Sequence, residues 1–154
     1  LSRLDLVSAR GKRSVINGLQ SVEAKEVIER FEFDKNLSFD SVFPFTYAAD
    51  LLEGNLTVPN FNASLLKKVT SATHVNLQFV VIGLDFEYQS SFIQNSSSKI
   101  TLSLQDATEA DLEFNCALPE SPTVFYLLYL EFFQRVNAVD YDLQAGTLKI
   151  VGFR

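Results

Sequence analysis

Residues 124–133 read Val-Phe-Tyr-Leu-Leu-Tyr-Leu-Glu-Phe-Phe, and this stretch decides the fold class. Every residue except Glu131 is apolar or aromatic, so an extended chain would be apolar on both faces here. A strand with two apolar faces is typical of the middle of a sheet, where both faces are covered. We therefore predict that Val124 to Phe133 is a central strand of a β-sheet and the most buried strand of the protein.

Shorter segments on either side of this stretch alternate between apolar and polar residues, as half-buried strands do. In the segment that begins at His74, for example, Val75, Leu77, Phe79 and Val81 share one face. Strands are predicted over residues 31–34, 45–52, 55–58, 74–88, 100–105, 110–116, 124–133, 139–143 and 148–153. About eight or nine short strands separated by turns predict an all-β protein, an antiparallel β-sandwich of the immunoglobulin-like type.

Glycine, proline and asparagine mark the predicted boundaries between strands. Glu53-Gly54 and Ala145-Gly146 are interpreted as turns, and Pro59 as the end of a strand, because proline cannot donate to a ladder. Gly83 predicts a bulge or bend. At Asn137-Ala138 we predict a two-residue type I′ hairpin turn, since apolar alternation resumes directly after Asn137.

The first 30 residues have a helical period and form a separate part of the predicted organisation. Ser21 is a candidate N-cap for a short helix over Val22 to Arg30. The basic residues at positions 10–13 are interpreted as a solvated turn. We therefore predict a short helical N-terminal arm over residues 1–30 and a β-sandwich domain over residues 31–154.

The charge is distributed unevenly between these two parts. Residues 1–30 carry six Lys or Arg and four Asp or Glu, a net of +2, whereas residues 31–154 carry seven and fifteen, a net of −8. An acidic β domain repels nucleic acid, so no nucleic-acid partner is expected for it. No apolar stretch reaches the roughly 20 residues that a membrane-spanning helix needs. The single cysteine, Cys116, excludes an intrachain disulfide. Neither the lack of a long apolar stretch nor the single cysteine distinguishes a cytoplasmic from an exported protein.

Several short segments stand in a characteristic order along the chain, namely Arg10 to Arg13, Phe31 to Asp34, Ala72 to His74, Asp85 to Glu87, Glu131 to Asn137, and Tyr141. In this order they resemble an uncharacterised family of Bacteroidetes-type bacterial proteins, over most of the chain. The resemblance implies a β domain at the C-terminal end of a longer protein that carries a basic segment ahead of these residues. The chain departs from the family at Asn137-Ala138, where Asn-Gly is expected, and at Phe33-Asp34, where Phe-Asn is expected. The family has no known activity, so the resemblance implies no functional residue.

No motif of the sequence indicates catalysis. A serine or cysteine nucleophile needs a base, and His74 is the only histidine. His74 is interpreted as a histidine at a sheet edge, and Cys116 as a buried, inert thiol. Carboxylates two apart on a strand share a face and could serve the hydrolysis of glycosides; the pairs are Asp85 with Glu87, Asp111 with Glu113, and Asp140 with Asp142. Such pairs are also typical of the solvated face of a sheet, so we do not expect an enzyme.

The sequence indicates no metal site and no cofactor, since it has one His and one Cys and lacks glycine-rich phosphate loops. Exposed aromatic side chains on a sandwich can stack on sugars or contact a protein. The function that we expect is a non-enzymatic binding or assembly module for an unknown protein or glycan. The alternatives are a structural component of an appendage, envelope or phage-like particle and, last, a hydrolase with paired carboxylates. The aromatic residues considered for a binding surface are Tyr47, Tyr88, Phe92, Tyr126, Tyr129 and Tyr141, of which Tyr88, Phe92 and Tyr141 are the candidates.

Overall fold

The computed structural model describes residues 2–67, 69–87 and 92–154, and it consists of two antiparallel β-sheets and a short helical arm. None of the described helices is long and apolar enough to cross a membrane. The helices are α1 (Val15–Leu19), α2 (Val22–Glu29) and α3 (Phe39–Val42), and the strands are β1 (Ala48–Asp50), β2 (Asn55–Phe61), β3 (His74–Leu84), β4 (Phe92–Ser96), β5 (Ile100–Ser103), β6 (Ala110–Asn115), β7 (Thr123–Val136) and β8 (Val139–Phe153).

One sheet has three strands in the order β1-β2-β6, and the other has five, in the order β4-β3-β7-β8 with β5 also paired to β3. Every one of these pairings is antiparallel. Strand β1 is shorter than the strand predicted over residues 45–52. The prediction of an all-β sandwich with a short helical N-terminal arm is confirmed.

Strand β7 is an interior strand of the five-stranded sheet, because β3 pairs along one of its edges and β8 along the other. It is the most buried of the described strands, as predicted. Burying a large apolar side chain contributes about 1.5–3 kcal/mol. Side chains of β7 that are fully buried in the core between the sheets are Val124, Tyr126, Leu128, Leu130 and Phe132, and their neighbours there include Leu56, Val58, Leu77, Phe79 and Phe114.

Residues 31–34, predicted as a strand, are irregular. Phe31 and Phe33 do not alternate into a core; both are about half exposed, and their rings pack edge to face with centroids 4.9 Å apart. The Glu32 carboxylate accepts a hydrogen bond from the Phe39 amide at 3.3 Å, at the start of α3. The predicted strand is therefore wrong, because this segment is bonded to the first turn of a helix that the sequence did not predict.

Strand β2 continues through Pro59 instead of ending there. Its pairing with β6 is regular up to Val58 and shifts register before Phe61. Within this irregularity Asn60 has a φ of 51°, and its amide donates to the Asp111 carboxylate at 2.9 Å. Proline is compatible with a strand at such a bulge, since it does not have to donate a ladder hydrogen bond there.

Strand β8 is one long strand, and the turn predicted at Ala145-Gly146 is wrong. The register with β7 shifts between Asp142 and Ala145, so Leu143 and Gln144 form a bulge. Gln144 has a φ of 49°. Because a bulge bends a strand without reversing it, the apolar alternation resumes on the same strand after the interruption.

Gly83 does not form the predicted bulge, because it pairs in register with Ile93 on one side and Val124 on the other. A Cβ at this position would lie 2.7 Å from the Cβ of Ser121 and 2.9 Å from the Cβ of Pro119. Glycine is needed here for close approach of the segment that leads into β7.

The arm is capped as the sequence predicts. The Ser21 hydroxyl accepts a hydrogen bond from the Ala24 amide at 3.1 Å and so caps α2. Ala24 and Ile28 are buried, and α2 contacts β8. The helical arm is therefore docked against one side of the five-stranded sheet.

The turn between β7 and β8 is the two-residue hairpin turn that the sequence predicts. Val136 pairs with Val139, and the two residues between them, Asn137 and Ala138, have φ values of 50° and 63°. Positive φ at both central positions is the type I′ geometry, whose twist matches that of the flanking strands. Asparagine tolerates this conformation, whereas the Cβ of Ala138 costs about 1 kcal/mol or more.

We expect Ala138→Gly to stabilise the protein by up to about 1 kcal/mol, because glycine adopts positive φ without that steric cost. The midpoint of urea unfolding measures the effect. Ala107→Gly is the matched control, since Ala107 is also exposed but lacks a positive φ, and its midpoint should fall. A lower midpoint for Ala138→Gly than for the parent would contradict the type I′ assignment.

Candidate functional site

The aromatic candidates chosen from the sequence do not form one site. Phe92 is 59% exposed on the edge strand β4. It pairs with Leu84 of β3, which pairs in turn with Thr123 of β7, so the three residues form one row across the sheet. Tyr141 is 52% exposed near the tip of the β7–β8 hairpin, opposite Gln134. These two rows are roughly 35 Å apart along β7, which is too far for one ordinary ligand. Tyr88 lies outside the described residues.

A groove crosses the face of the five-stranded sheet that points away from the three-stranded sheet, which we call the outer face. Leu127 of β7 is paired with Val80 of β3 and with Ile150 of β8, so apolar side chains lie side by side there. We define the apolar strip as Val80, Ile82, Leu127 and Leu148. Leu127 is buried, and the other three are partly exposed. The apolar strip and three polar residues, Gln78, Gln94 and Tyr129, line a cavity of about 310 Å³.

The arm covers only one end of the outer face. Val27, Ile28 and Phe31 lie across a cavity of about 310 Å³ from Phe125 and Ile150, and all five side chains are apolar. Ile28 is buried, whereas Val27 and Phe31 are about half exposed. The helix therefore packs at this end of the sheet and leaves the apolar strip accessible.

At the other end of the strip lies a second pocket, which we call the acidic pocket. A Cβ on Gly146 would lie 2.8 Å from the carbonyl oxygen of Leu130 and 3.3 Å from the ring of Tyr129, so the ring lies close against the β8 backbone. The bulge residue Gln144 and Asp142, which directly precedes the bulge, line the same pocket. The cavity has a volume of about 270 Å³ and is lined by Tyr129, Glu131, Asp142, Gln144, Ala145 and Gly146.

The charges of the acidic pocket act on the Tyr129 hydroxyl. Burial and, after it, the negative charges of Glu131 and Asp142 raise the pKa of Tyr129 above its ordinary value. Glu131 accepts a hydrogen bond from Asn76 at 3.2 Å and lies 3.7 Å from the ammonium of Lys99. An ion pair this long between partly exposed groups contributes little to stability. The pocket thus presents two carboxylates beside a neutral phenol.

His74 lies at the start of β3 and not at a sheet edge, because it pairs with Phe133 on one side and Ser103 on the other. Its Nδ1 lies 2.8 Å from the Thr73 hydroxyl, and its ring stacks on that of Phe133 with centroids 5.4 Å apart. The guanidinium of Arg135 lies 5.3 Å from the centroid of the same phenyl ring. The histidine is therefore a packing partner of Phe133, and the interpretation as an edge histidine is wrong.

Two of the three carboxylate pairs predicted from sequence spacing contain a carboxylate that is bonded to a residue outside the pair. Asp140 accepts two hydrogen bonds from Arg135, at 2.6 and 2.8 Å, and these lower the pKa of Asp140. Asp111 accepts a hydrogen bond from the Asn60 amide at 2.9 Å, whereas Asp85 accepts one from the backbone amide of Glu87, its own pair member, at 2.9 Å. The acidic pocket instead combines Asp142 of β8 with Glu131 of β7. Spacing within one strand could not reveal this pair, because its members belong to different strands.

Cys116 is buried at the end of β6, and burial raises the pKa of its thiol. A raised pKa disfavours the thiolate, which is the nucleophilic form. Within the described ranges, no group of three His, Cys, Asp or Glu side chains is placed to hold a metal ion. The feature of the described surface that best suits a ligand is therefore the outer face.

The apolar strip and the acidic pocket are adjoining, because Tyr129 lines both cavities. Carboxylates form strong, charge-assisted hydrogen bonds with ammonium and guanidinium groups. An aromatic ring also attracts a cation to its face. Together the two cavities suit a ligand that carries apolar groups next to a positive charge.

We expect the pKa of Tyr129 to fall in Asp142→Asn, because this change removes one of the two nearby negative charges. The pKa should stay above the ordinary tyrosine value, since burial is the larger cause and is retained. Carbon-13 NMR of the tyrosine Cζ atoms during a pH titration measures both values. Tyr47 is the control, because its pKa is raised chiefly by its own burial and should not change. An unchanged Tyr129 pKa would show that Asp142 does not act on this pocket.

Comparison of the chain with protein-family models, with curated proteins and with solved structures finds no match. The resemblance to a Bacteroidetes-type family stays a prediction.

Proposed function

We propose that this chain is a non-enzymatic binding module that holds a protein partner against the outer face of its five-stranded sheet. The groove formed by the apolar strip and the acidic pocket carries this proposal. Apolar surface removed from water contributes about 25 cal/mol per Å². The amide groups of Gln78 and Gln94 lie beside the apolar strip and supply hydrogen-bond donors and acceptors. An apolar centre with a polar rim is the usual anatomy of a protein interface.

The chemistry of the groove favours a polypeptide segment that combines apolar side chains with a Lys or Arg. The apolar side chains would cover the strip, and the basic group would bond to Glu131 and Asp142. Residues 31–154 carry a net charge of −8, which attracts a cationic partner at long range and repels an anionic one.

A glycan is the second candidate partner, and Tyr129 is the observation that favours it. An aromatic ring with carboxylate and amide neighbours can stack on a sugar while those neighbours bond its hydroxyl groups. The adjoining apolar strip favours a protein, because a sugar offers little apolar surface to cover Ile82 and Leu148.

We also propose that the sandwich is of the immunoglobulin-like type. The order β1-β2-β6 corresponds to strands A-B-E of that fold, and the order β4-β3-β7-β8 corresponds to C′-C-F-G. Strand β5 departs from the pattern, since it pairs with β3 instead of taking the position of strand D beside β6.

Selection from a random peptide library on the immobilised chain should enrich peptides that combine apolar residues with Lys or Arg. Ile82→Glu should weaken the binding of these peptides about tenfold or more, because a docked peptide would bury the new carboxylate without a partner. Leu65→Glu is the matched control, since Leu65 is 58% exposed on a helical turn outside both sheets and should not affect binding. Fluorescence anisotropy of labelled peptides measures the Kd values.

Equal affinity of the enriched peptides for the parent and for Ile82→Glu would contradict the proposed surface. A glycan array probed with the parent and with Tyr129→Ala tests the second candidate. If the parent binds a glycan but no peptide, and Tyr129→Ala abolishes this glycan binding, the partner is a glycan and not a protein.

A further inference from the structure

Residues 5–14 of the arm form a loop that one carboxylate holds in shape, and we call it the Asp5 loop. The carboxylate of Asp5 accepts hydrogen bonds from the amides of Val7 at 3.1 Å, Ser8 at 2.9 Å and Ser14 at 3.0 Å. The Asp5 side chain is inaccessible to solvent. These bonds, above all the one from Ser14, hold the pKa of Asp5 well below its usual range. Asp5 is therefore ionised at neutral pH and keeps the loop closed.

The Asp5 loop is also bonded to the first helix. The Ser14 hydroxyl accepts a hydrogen bond from the Asn17 amide at 3.1 Å and so caps α1. The side chain of Asn17 donates to the Ser8 hydroxyl at 3.1 Å. A loop organised in this way loses less conformational entropy when it binds, which favours its use in recognition.

The loop displays an apolar pair and a basic cluster. The apolar pair is Leu6 and Val7, which are 76% and 92% exposed. The basic cluster is Arg10, Lys12 and Arg13, which are all exposed. None of the salt bridges found among the described residues involves the basic cluster. The loop therefore carries apolar groups and free positive charge side by side.

We propose that the Asp5 loop of one copy binds the outer face of a second copy, with its apolar pair on the apolar strip and its basic cluster beside the acidic pocket. This inference rests on the proposed function, since it names a second copy of the chain as a partner. Charge complementarity carries it: the arm has a net charge of +2 and residues 31–154 a net charge of −8.

The contact is made between copies and not within one. The arm of a copy docks at the Phe125 and Ile150 end of its own outer face, roughly 20 Å along β7 from Glu131. Its own basic cluster forms no salt bridge with the acidic pocket, within the part of the chain that is described. A loop that binds a different surface on the next copy makes a head-to-tail contact, which builds rings or filaments. This geometry also suits a structural component of a larger assembly.

Sedimentation velocity of the full chain over a range of concentrations tests the proposal. The parent should associate, and the association should weaken as salt is raised from about 20 mM to about 500 mM, because salt screens the attraction. The triple change Arg10→Glu, Lys12→Glu, Arg13→Glu should weaken association about tenfold or more. The double change Glu131→Lys, Asp142→Lys should do the same. Mixing the two variants should restore association, because one retains the parental outer face and the other the parental loop.

The matched control reverses the same number of charges elsewhere on the arm. Arg3, Lys25 and Arg30 are exposed and lie outside the Asp5 loop. The control protein that carries Arg3→Glu, Lys25→Glu and Arg30→Glu together should therefore associate more strongly than the loop variant. Restoration by mixing also shows that both charge variants are folded. A parent that stays monomeric at every concentration would overturn the inference, as would equal losses in the loop variant and its control.

The two proposals fail in different ways. A strictly monomeric chain that still binds the enriched peptides on its outer face would refute self-association and leave the binding module intact. A chain that neither associates nor binds peptides would refute both.

Discussion

Strand β7 has apolar side chains on both faces and a hydrogen-bonded neighbour on both edges. Most of the architecture depends on covering these two faces and pairing these two edges. Its inner face is covered by the three-stranded sheet, with Tyr126, Leu128 and Leu130 fully buried. Each such side chain contributes about 1.5–3 kcal/mol, which is a large part of a domain's net stability of about 5–15 kcal/mol. Because the strand is bonded on both edges, it also fixes which residues of β3 and β8 lie beside it.

The outer face of the same strand is covered incompletely, and this connects the fold to the proposed function. Helix α2 packs beside Phe125 at one end, and Leu127 is buried in the middle. Toward the other end, the side chains change from apolar to polar through Tyr129 to Glu131. The shifted register of β8 brings Asp142 to that end. Burial and, after it, the charges of Glu131 and Asp142 raise the pKa of Tyr129, which lies between the groove and the pocket. A single strand thus provides the core of the sandwich and the floor of the groove.

Local chemistry explains which features could be predicted from the sequence. The two-faced apolarity of residues 124–133, the Ser21 cap and the type I′ turn at Asn137-Ala138 each depend on residues close together in the chain, and each is found. Other features depend on a neighbouring helix or on paired strands, and these were missed.

Residues 31–34 alternate like a strand but are bonded to the start of α3. Pro59 and Ala145-Gly146 have the composition of strand ends, yet β2 and β8 continue through them, with one bulge at Pro59 and Asn60 and another at Leu143 and Gln144. The acidic pocket was missed for the same reason, since Glu131 and Asp142 meet only through the shifted register of β8.

The most direct test of the outer face as the surface that binds a second copy is methyl NMR of the full chain, labelled at Ile, Leu and Val, as its concentration is raised. If the Asp5 loop binds the outer face, the methyl signals of the apolar strip shift together with those of Leu6 and Val7, while those of Leu52 and Leu65 stay constant. Shifts at Leu52 and Leu65 with an unchanged apolar strip would contradict this binding mode.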